Sequence, residues 1–269
     1  MSQSLETRAP AREVPTFRAD VFRAKRSRYA VAVFVINEGE KVRKQLAAMA
    51  ELAERFDVVV ADGGSTDGSL DEASLRGWGV RTLLTKTGSG KLSAQMRMAF
   101  AWALDEGYEG VITIDGNGKD DPTPIPEFAR LLREGFDHVQ GSRFIPGGVA
   151  INTPISRLVA VRVLHAPLIS LAARERHTDT TNGFRAYSAR LLGDRRVAVF
   201  REVFSRYELH YHLAIESSRD RRFRTTETPV TRAYPAKGRT PTKISPIRGN
   251  AAVLRQVAKA ALGHYRAQA

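Results

Sequence analysis

The chain has 269 residues, with 42 lysines and arginines against 29 aspartates and glutamates, a formal net charge of +13. At 42% hydrophobic and 26% charged residues it has an ordinary globular composition, long enough for one large α/β domain or two small ones. The absence of cysteine excludes a disulfide framework, thiol catalysis and thiolate zinc sites, and fits a reducing compartment.

Residues 1–28 carry seven basic and three acidic groups, Pro10 and Pro15, and no sustained apolar period. They read as a basic N-terminal arm with a short helix near 20–26. The N-terminus lacks the apolar core of a secretory signal, and no stretch reaches the roughly 18 consecutive apolar residues of a membrane span. The protein is therefore expected in the cytoplasm.

Residues 29–36 (YAVAVFVI) form a continuous apolar run of strand length, as in a strand buried on both faces. A helical stripe follows with Val42, Leu46, Met49 and Leu52. Residues 57–61 (DVVVA) are a second buried strand, running into the turn 62–68 (DGGSTDG). The alternation continues with a strand at 80–84, a helix at 92–104, a strand at 110–114, a helix at 125–133 and a short strand at 138–141. Such alternation predicts an α/β fold with a mostly parallel central sheet, Rossmann-like and flanked by helices. Ligands then sit beyond the carboxyl ends of the strands, where Asp62 and Asp115 lie.

Beyond residue 150 the pattern predicts a helix over 155–173, an extended piece at 183–187, a helix over 202–217 and a strand over 223–230. Residues 219–248 carry nine basic and two acidic groups, and 231–248 hold three prolines, which predicts a mobile basic loop. Residues 251–269 predict an amphipathic helix with Val253, Leu254, Val257, Ala261 and Leu262 on one side. The nearly neutral body and basic ends point to an anionic partner.

Gly88-Ser89-Gly90-Lys91 is not a phosphate loop, because Thr85 stands where a glycine is needed and Leu92 where Ser or Thr is needed. Lys91 at a helix N-terminus could still meet a phosphate, since first-turn amides favour anions. No Gly-x-Gly-x-x-Gly follows the first strand; Asn37 and Glu38 follow it, and could equally begin a helix. Asp62 and Asp67 could cap a helix near Ser69. The segment 115–122 (DGNGKDDP) places three carboxylates and an amide at the end of a buried strand, the oxygen ligands that Mg²⁺ or Mn²⁺ prefer.

Taken together, these segments resemble the family 2 glycosyltransferases of the GT-A fold, in particular their dolichyl-phosphate-mannose synthase-like branch. Val35-Ile36-Asn37-Glu38 is similar to the family's opening strand, and Asp62-Gly63-Gly64-Ser65-Thr66-Asp67 to its Asp-Asp-Gly-Ser-Thr-Asp turn, with Gly63 in place of the second Asp. Asp115-Gly116-Asn117 stands where the family has Asp-x-Asp. Gly141-Ser142-Arg143, Asp179-Thr180-Thr181-Asn182-Gly183-Phe184-Arg185, Glu208 and Thr242-Lys243-Ile244-Ser245 resemble its later motifs. The likeness covers about residues 29–250 and implies a GT-A domain there, with a nucleotide-binding half (29–122) and an acceptor half (123–250).

The resemblance implies a nucleotide-sugar donor, UDP- or GDP-linked, and transfer with inversion to a polyprenyl phosphate. The basic arm, the 219–248 loop, and the amphipathic helices at 158–173 and the C-terminus could together dock the enzyme peripherally on an anionic membrane, or those helices could equally pack on the sheet. The resemblance also implies that Asp62 hydrogen-bonds the base, that Asn37, Glu38 and Asp115 line the nucleotide pocket and that Asp115 is catalytic. Lys91 joins that pocket through its helix position, and Glu208 is the catalytic candidate as the base that a hydroxyl acceptor would need. Arg143, Arg185, Lys237 and Lys243 would meet the diphosphate or acceptor. A divalent cation, Mg²⁺ or Mn²⁺, would rest on Asp115, Asn117 and Asp121. Two departures bear on that cation: Asn117 brings no charge, and Lys119 stands where relatives often carry a Gln ligand. These departures also support an alternative, a catalytically impaired nucleotide-sugar-binding scaffold or sensor of the same fold. A nucleic-acid partner is not expected, because no recognition helix or aromatic-rich RNA motif is present and the acidic turns repel phosphates.

Overall fold

A computed structural model describes residues 12–236 and 248–266. It opens with β1 (Phe17–Val21), β2 (Tyr29–Val35), α1 (Glu40–Ala48), α2 (Ala50–Arg55), β3 (Asp57–Asp62), α3 (Glu72–Gly77), β4 (Thr82–Lys86), α4 (Leu92–Asp105) and β5 (Gly110–Asp115). Next come α5 (Ile125–Arg133), β6 (His138–Ser142), β7 (Val149–Ile151), α6 (Ile155–Val159), a π-helical turn (Ala160–His165) and α7 (Ala166–Ala173). The chain continues through β8 (Arg185–Ser188), α8 (Ala189–Leu192), α9 (Glu208–Arg219), β9 (Thr225–Pro229), β10 (Thr231–Ala233) and α10 (Arg248–Ala261).

Eight strands form one sheet in the order β1-β4-β3-β2-β5-β8-β6-β9, and β10 pairs with β7 in a separate ribbon. The β4-β3-β2-β5 core is parallel, as is β6-β9, whereas β8 runs antiparallel between β5 and β6 and β1 runs antiparallel along β4. Strands from both halves of the chain thus share one sheet. The two-residue period of β2 divides its side chains between two cores: Ala30, Ala32 and Phe34 join α4, α7, α9 and α10, while Tyr29, Val31, Val33 and Val35 join α1, α2, α3 and α5. Sandwiching the sheet explains why its central strands read as unbroken apolar runs.

Several expectations need correction. Residues 20–26 form no helix: β1 lies along the sheet edge, and the buried Asp57 carboxylate accepts from the amides of Arg26 and Ser27 at 2.9 and 3.0 Å. Edge pairing is blind to an apolar period, because one face and one edge of such a strand stay wet. The stripe beginning at Val42 breaks at Met49 into two helices. The helix expected over 202–217 begins only at Glu208. Within 231–248, β10 and the two paired backbones around it make residues 231–234 ordered parts of the site, while 237–247 lie outside the described residues.

The 155–173 segment is a continuous helical run of 19 residues, long and apolar enough to cross a membrane by length and composition alone. Its turn before Pro167 widens into π register, which accommodates a residue that cannot donate an amide. Val161, His165, Ala166 and Ile169 are buried, but Ile155, Val163 and Leu171 are 79%, 70% and 79% exposed. In the C-terminal helix Val257 and Ala260 enter the core and Leu262 is exposed; Val253 and Leu254 lie outside the described side chains.

Candidate active site

Parallel register places Val35 beside Asp62 and Phe34 beside Asp115, so the two carboxylates end their strands on either side of β2. Gln95 on α4 holds this end closed, donating to the carbonyls of Val35 and Ala61 at 2.8 and 3.1 Å. A Cβ on residue 63 would stand 2.9 Å from the Gln95 amide nitrogen and 3.2 Å from Ile36 Cβ. That packing accounts for Gly63 where the motif has a second aspartate.

The loops after β2 and β3 are laced together. Asp62 is buried and accepts from the Ser65 amide at 2.9 and 3.0 Å and from its hydroxyl at 2.6 Å. Asn37, at φ 47°, donates its amide to Ser65 Oγ (2.9 Å), and its side-chain oxygen accepts from Thr66 N (2.8 Å). Asp67 accepts from the amides of Gly39 and Ser69 and from the Ser69 hydroxyl, which holds its carboxyl below the usual range. The helix-capping alternatives fail, since Gly39 precedes α1 and Asp71 caps α3. Glu38 stands beside this lacing with Lys41 at 3.5 Å.

Around Asp115 the chain packs closely. A Cβ on Gly116 would stand 2.6 Å from Val35 Cγ2, and one on Gly183 would stand 2.8 Å from Asp115 Oδ1. Gln45 on α1 cradles the turn, donating to the Asp115 carbonyl (2.9 Å) and accepting from Gly118 N (2.7 Å). Asp115 Oδ2 accepts from Arg232 Nη2 at 3.1 Å and from Asn117 Nδ2 at 3.3 Å. The other terminal nitrogen of Arg232 binds the fully buried Asp120. Burial pushes the Asp120 carboxyl up to about 6, against the pull of Arg232. Lys119 lies with its ammonium 5.4 Å from the centre of the Tyr234 ring, and burial followed by the Arg232 charge holds its pKa below the ordinary lysine value. Burial would raise the Tyr234 hydroxyl, but Arg232 and Arg157 outweigh it and bring it down; Arg157 donates to that oxygen at 2.7 Å.

These residues do not fit the expected cation. Asp121 turns away, accepting from Thr123 N (3.0 Å) and Thr123 Oγ1 (2.8 Å). Asn117 donates to Asp115 rather than converging with it on a common point. Among the described residues no three Asp, Glu or His side chains gather as a ligand set. The position beside Asp115 is held by a guanidinium.

Other expectations also shift. Arg143 forms a buried two-pronged pair with Asp179 (2.6 and 2.9 Å) and binds Thr181, with side-chain exposures of 1% and 0% for the pair. Arg185 is buried and donates to the carbonyls of Thr180, Asn182 and His210, locking the 180–183 loop onto α9. Both are structural cations rather than diphosphate contacts. Lys91 is exposed, but its amide and that of Ser93 already bind the carbonyls of Ser205 and Arg206, which removes them from anion binding. Glu208 is buried and accepts from Arg206 N at 2.6 Å. Lys237 and Lys243 lie outside the described residues. Sequence reading missed Gln45, Arg157, Arg232 and Tyr234. Only Arg232 had a visible signal, a basic residue near the late motif, hidden by the prolines that suggested a loop.

The chain matches the description Glycosyl transferase family 2 over residues 30–207. It is 33% identical over 157 residues to an undecaprenyl-phosphate mannosyltransferase of Micrococcus luteus, covering 57% of this chain and 63% of that protein. It is 28% identical over 168 residues to a polyprenol monophosphomannose synthase of Mycolicibacterium smegmatis, covering 61% and 63%. The matched region therefore spans less than two thirds of those relatives. A glucosyl-3-phosphoglycerate synthase of Mycobacterium tuberculosis, solved with Mn²⁺, UDP and phosphoglyceric acid, superposes with a TM-score of 0.61 at 19% identity, covering 87% and 77% of the two chains.

Proposed function

This chain is a member of glycosyltransferase family 2 with the GT-A fold, and from that premise we propose that it moves a sugar from a nucleotide-sugar donor onto a polyprenyl phosphate, inverting the anomeric carbon. The laced loops carrying Asn37, Glu38 and Asp62 form the nucleotide wall, with Asp62 toward the base, and Asp115 marks the diphosphate end. The resemblance assigns Lys237 and Lys243 to the diphosphate or acceptor; both lie outside the described residues.

The observation that carries the acceptor assignment is the helix from Ile155 to Ala173. It leaves Ile155, Val163 and Leu171 bare, while Arg157 on its first turn reaches Tyr234, which adjoins Lys119 and Arg232. An apolar face whose end meets a cluster of cations suits a long lipid with a phosphate head. The names of the two curated relatives agree with such an acceptor and favour mannose as the sugar. The enzyme would then work at the cytoplasmic face of a membrane.

A phosphate oxygen of the acceptor attacks the anomeric carbon as the bond to the nucleoside diphosphate breaks on the opposite side. The electron pair of that bond leaves with the diphosphate. The attacking oxygen is already anionic, so no base is required; positioning and charge neutralisation supply the catalysis. The test is incubation of the chain with radiolabelled GDP-mannose or UDP-glucose and vesicles containing undecaprenyl phosphate. The expected result is a solvent-extractable glycolipid formed from one donor. Transfer to phosphoglyceric acid with none to the lipid would overturn the acceptor assignment, and tight donor binding without any turnover would favour the impaired scaffold.

A further inference from the structure

We propose that Arg232 supplies the positive charge at Asp115 that the family resemblance assigns to a divalent cation, so that the nucleoside diphosphate binds here without metal. The inference rests on reading the cleft as a nucleotide-sugar site. Its first support is occupancy: Arg232 Nη2 lies 3.1 Å from Asp115 Oδ2, and its other terminal nitrogen is bound to Asp120, so one guanidinium bridges both carboxylates. The other Asp115 oxygen faces the Gly183 backbone, where a Cβ would stand 2.8 Å away. A metal ion at Oδ2 would have to displace the arginine or stand beside it, cation against cation, at a carboxylate that is only 25% exposed.

The second support is preorganisation. Residues on both sides of Arg232 are fixed by backbone bonds: Asp121 N donates to Thr231 O (3.1 Å), Ala233 N donates to Lys119 O (2.8 Å), and β10 pairs with β7. The guanidinium therefore needs no reorganisation when negative charge grows on the departing diphosphate, the condition under which a fixed cation is most effective. Its planar fork has five N–H donors, more than the two carboxylates engage in the bonds described. The third support is charge balance. Arg232 and Lys119 offset Asp115 and Asp120, so the incoming diphosphate does not meet a net negative site.

Calorimetric titration of the full chain with UDP, GDP and the matching monophosphates, in Mn²⁺ or in EDTA, tests this. Wild type is expected to bind its diphosphate with affinities within threefold in the two conditions. Arg232→Gln is expected to weaken diphosphate binding at least tenfold in EDTA while leaving monophosphate binding within threefold, and Mn²⁺ should restore part of the loss because two carboxylates become available. A tenfold or greater dependence of wild type on Mn²⁺ would overturn the inference, whatever the variant does. So would Arg232→Gln binding the diphosphate as wild type does in EDTA. Failure of every nucleotide to bind wild type in either condition would overturn the nucleotide-sugar reading itself.

Discussion

At the residue scale, the site depends on what small and buried side chains permit around Asp115. A Cβ at residue 183 would stand 2.8 Å from Asp115 Oδ1, so Gly183→Ala should push the carboxylate aside by a fraction of its length. A misplacement near 1 Å costs about 100-fold in rate; kcat/KM should fall by about that factor with the thermal midpoint nearly unchanged. Arg143 behaves in the opposite way. Arg143→Ala strands the buried Asp179 carboxylate, and urea unfolding should show a loss of about 3–5 kcal/mol. Glu208→Gln separates two acceptor chemistries. Glutamine can still accept from Arg206 N, and a phosphate acceptor needs no deprotonation, so kcat should stay within about tenfold and its pH profile should not move. A hydroxyl acceptor served by Glu208 would lose about 10²–10⁴-fold.

At the scale of elements, the helix from Ile155 to Ala173 was legible in position and ambiguous in use. Periodicity marks an apolar helix but cannot say which side meets the sheet. Packing on α9 and α10 buries Ile169 and Ala172 and leaves Val163 and Leu171 to solvent. If that side rests in lipid, each side chain contributes at least about 1.5 kcal/mol, roughly tenfold in partitioning. Vesicle sedimentation of Val163→Ser with Leu171→Ser should show a loss of that order per residue, with nucleotide affinity in solution unaltered. Partitioning equal to wild type would remove the helix from the docking surface. The short strands β1, β7 and β10 were not legible, because three to five residues on a sheet edge or in a two-stranded ribbon carry too little pattern to stand out.

For the whole molecule, the charge of +13 acts as a field rather than as a set of contacts. Many arginines are already paired, including Arg12 with Asp105 and Arg28 with Glu109, so the surplus rather than the total meets an anionic surface. Such attraction is screened over about 10 Å at 0.1 M salt and about 3 Å at 1 M. Binding to vesicles rich in anionic lipid should therefore fall several-fold between those concentrations. Vesicles of neutral lipid should show little salt dependence, which separates the field from the apolar helix.

The sequence alone determined the layered α/β plan, since doubly buried strands and amphipathic helices follow from local apolar period. It also determined the family and the location of Asp62 and Asp115, because strand ends are marked by the switch from apolar runs to polar turns. What it could not determine was partnership. Arg143 and Arg185, which resemble site cations in the motifs, are buried structural groups, whereas Arg232, on a segment that read as loop, reaches Asp115 from 117 residues away. Charges in the interior are assigned by which opposite charge or carbonyl lies within hydrogen-bond reach, and that distance exists only once the fold has laid the β7–β10 ribbon beside the turn that follows β5.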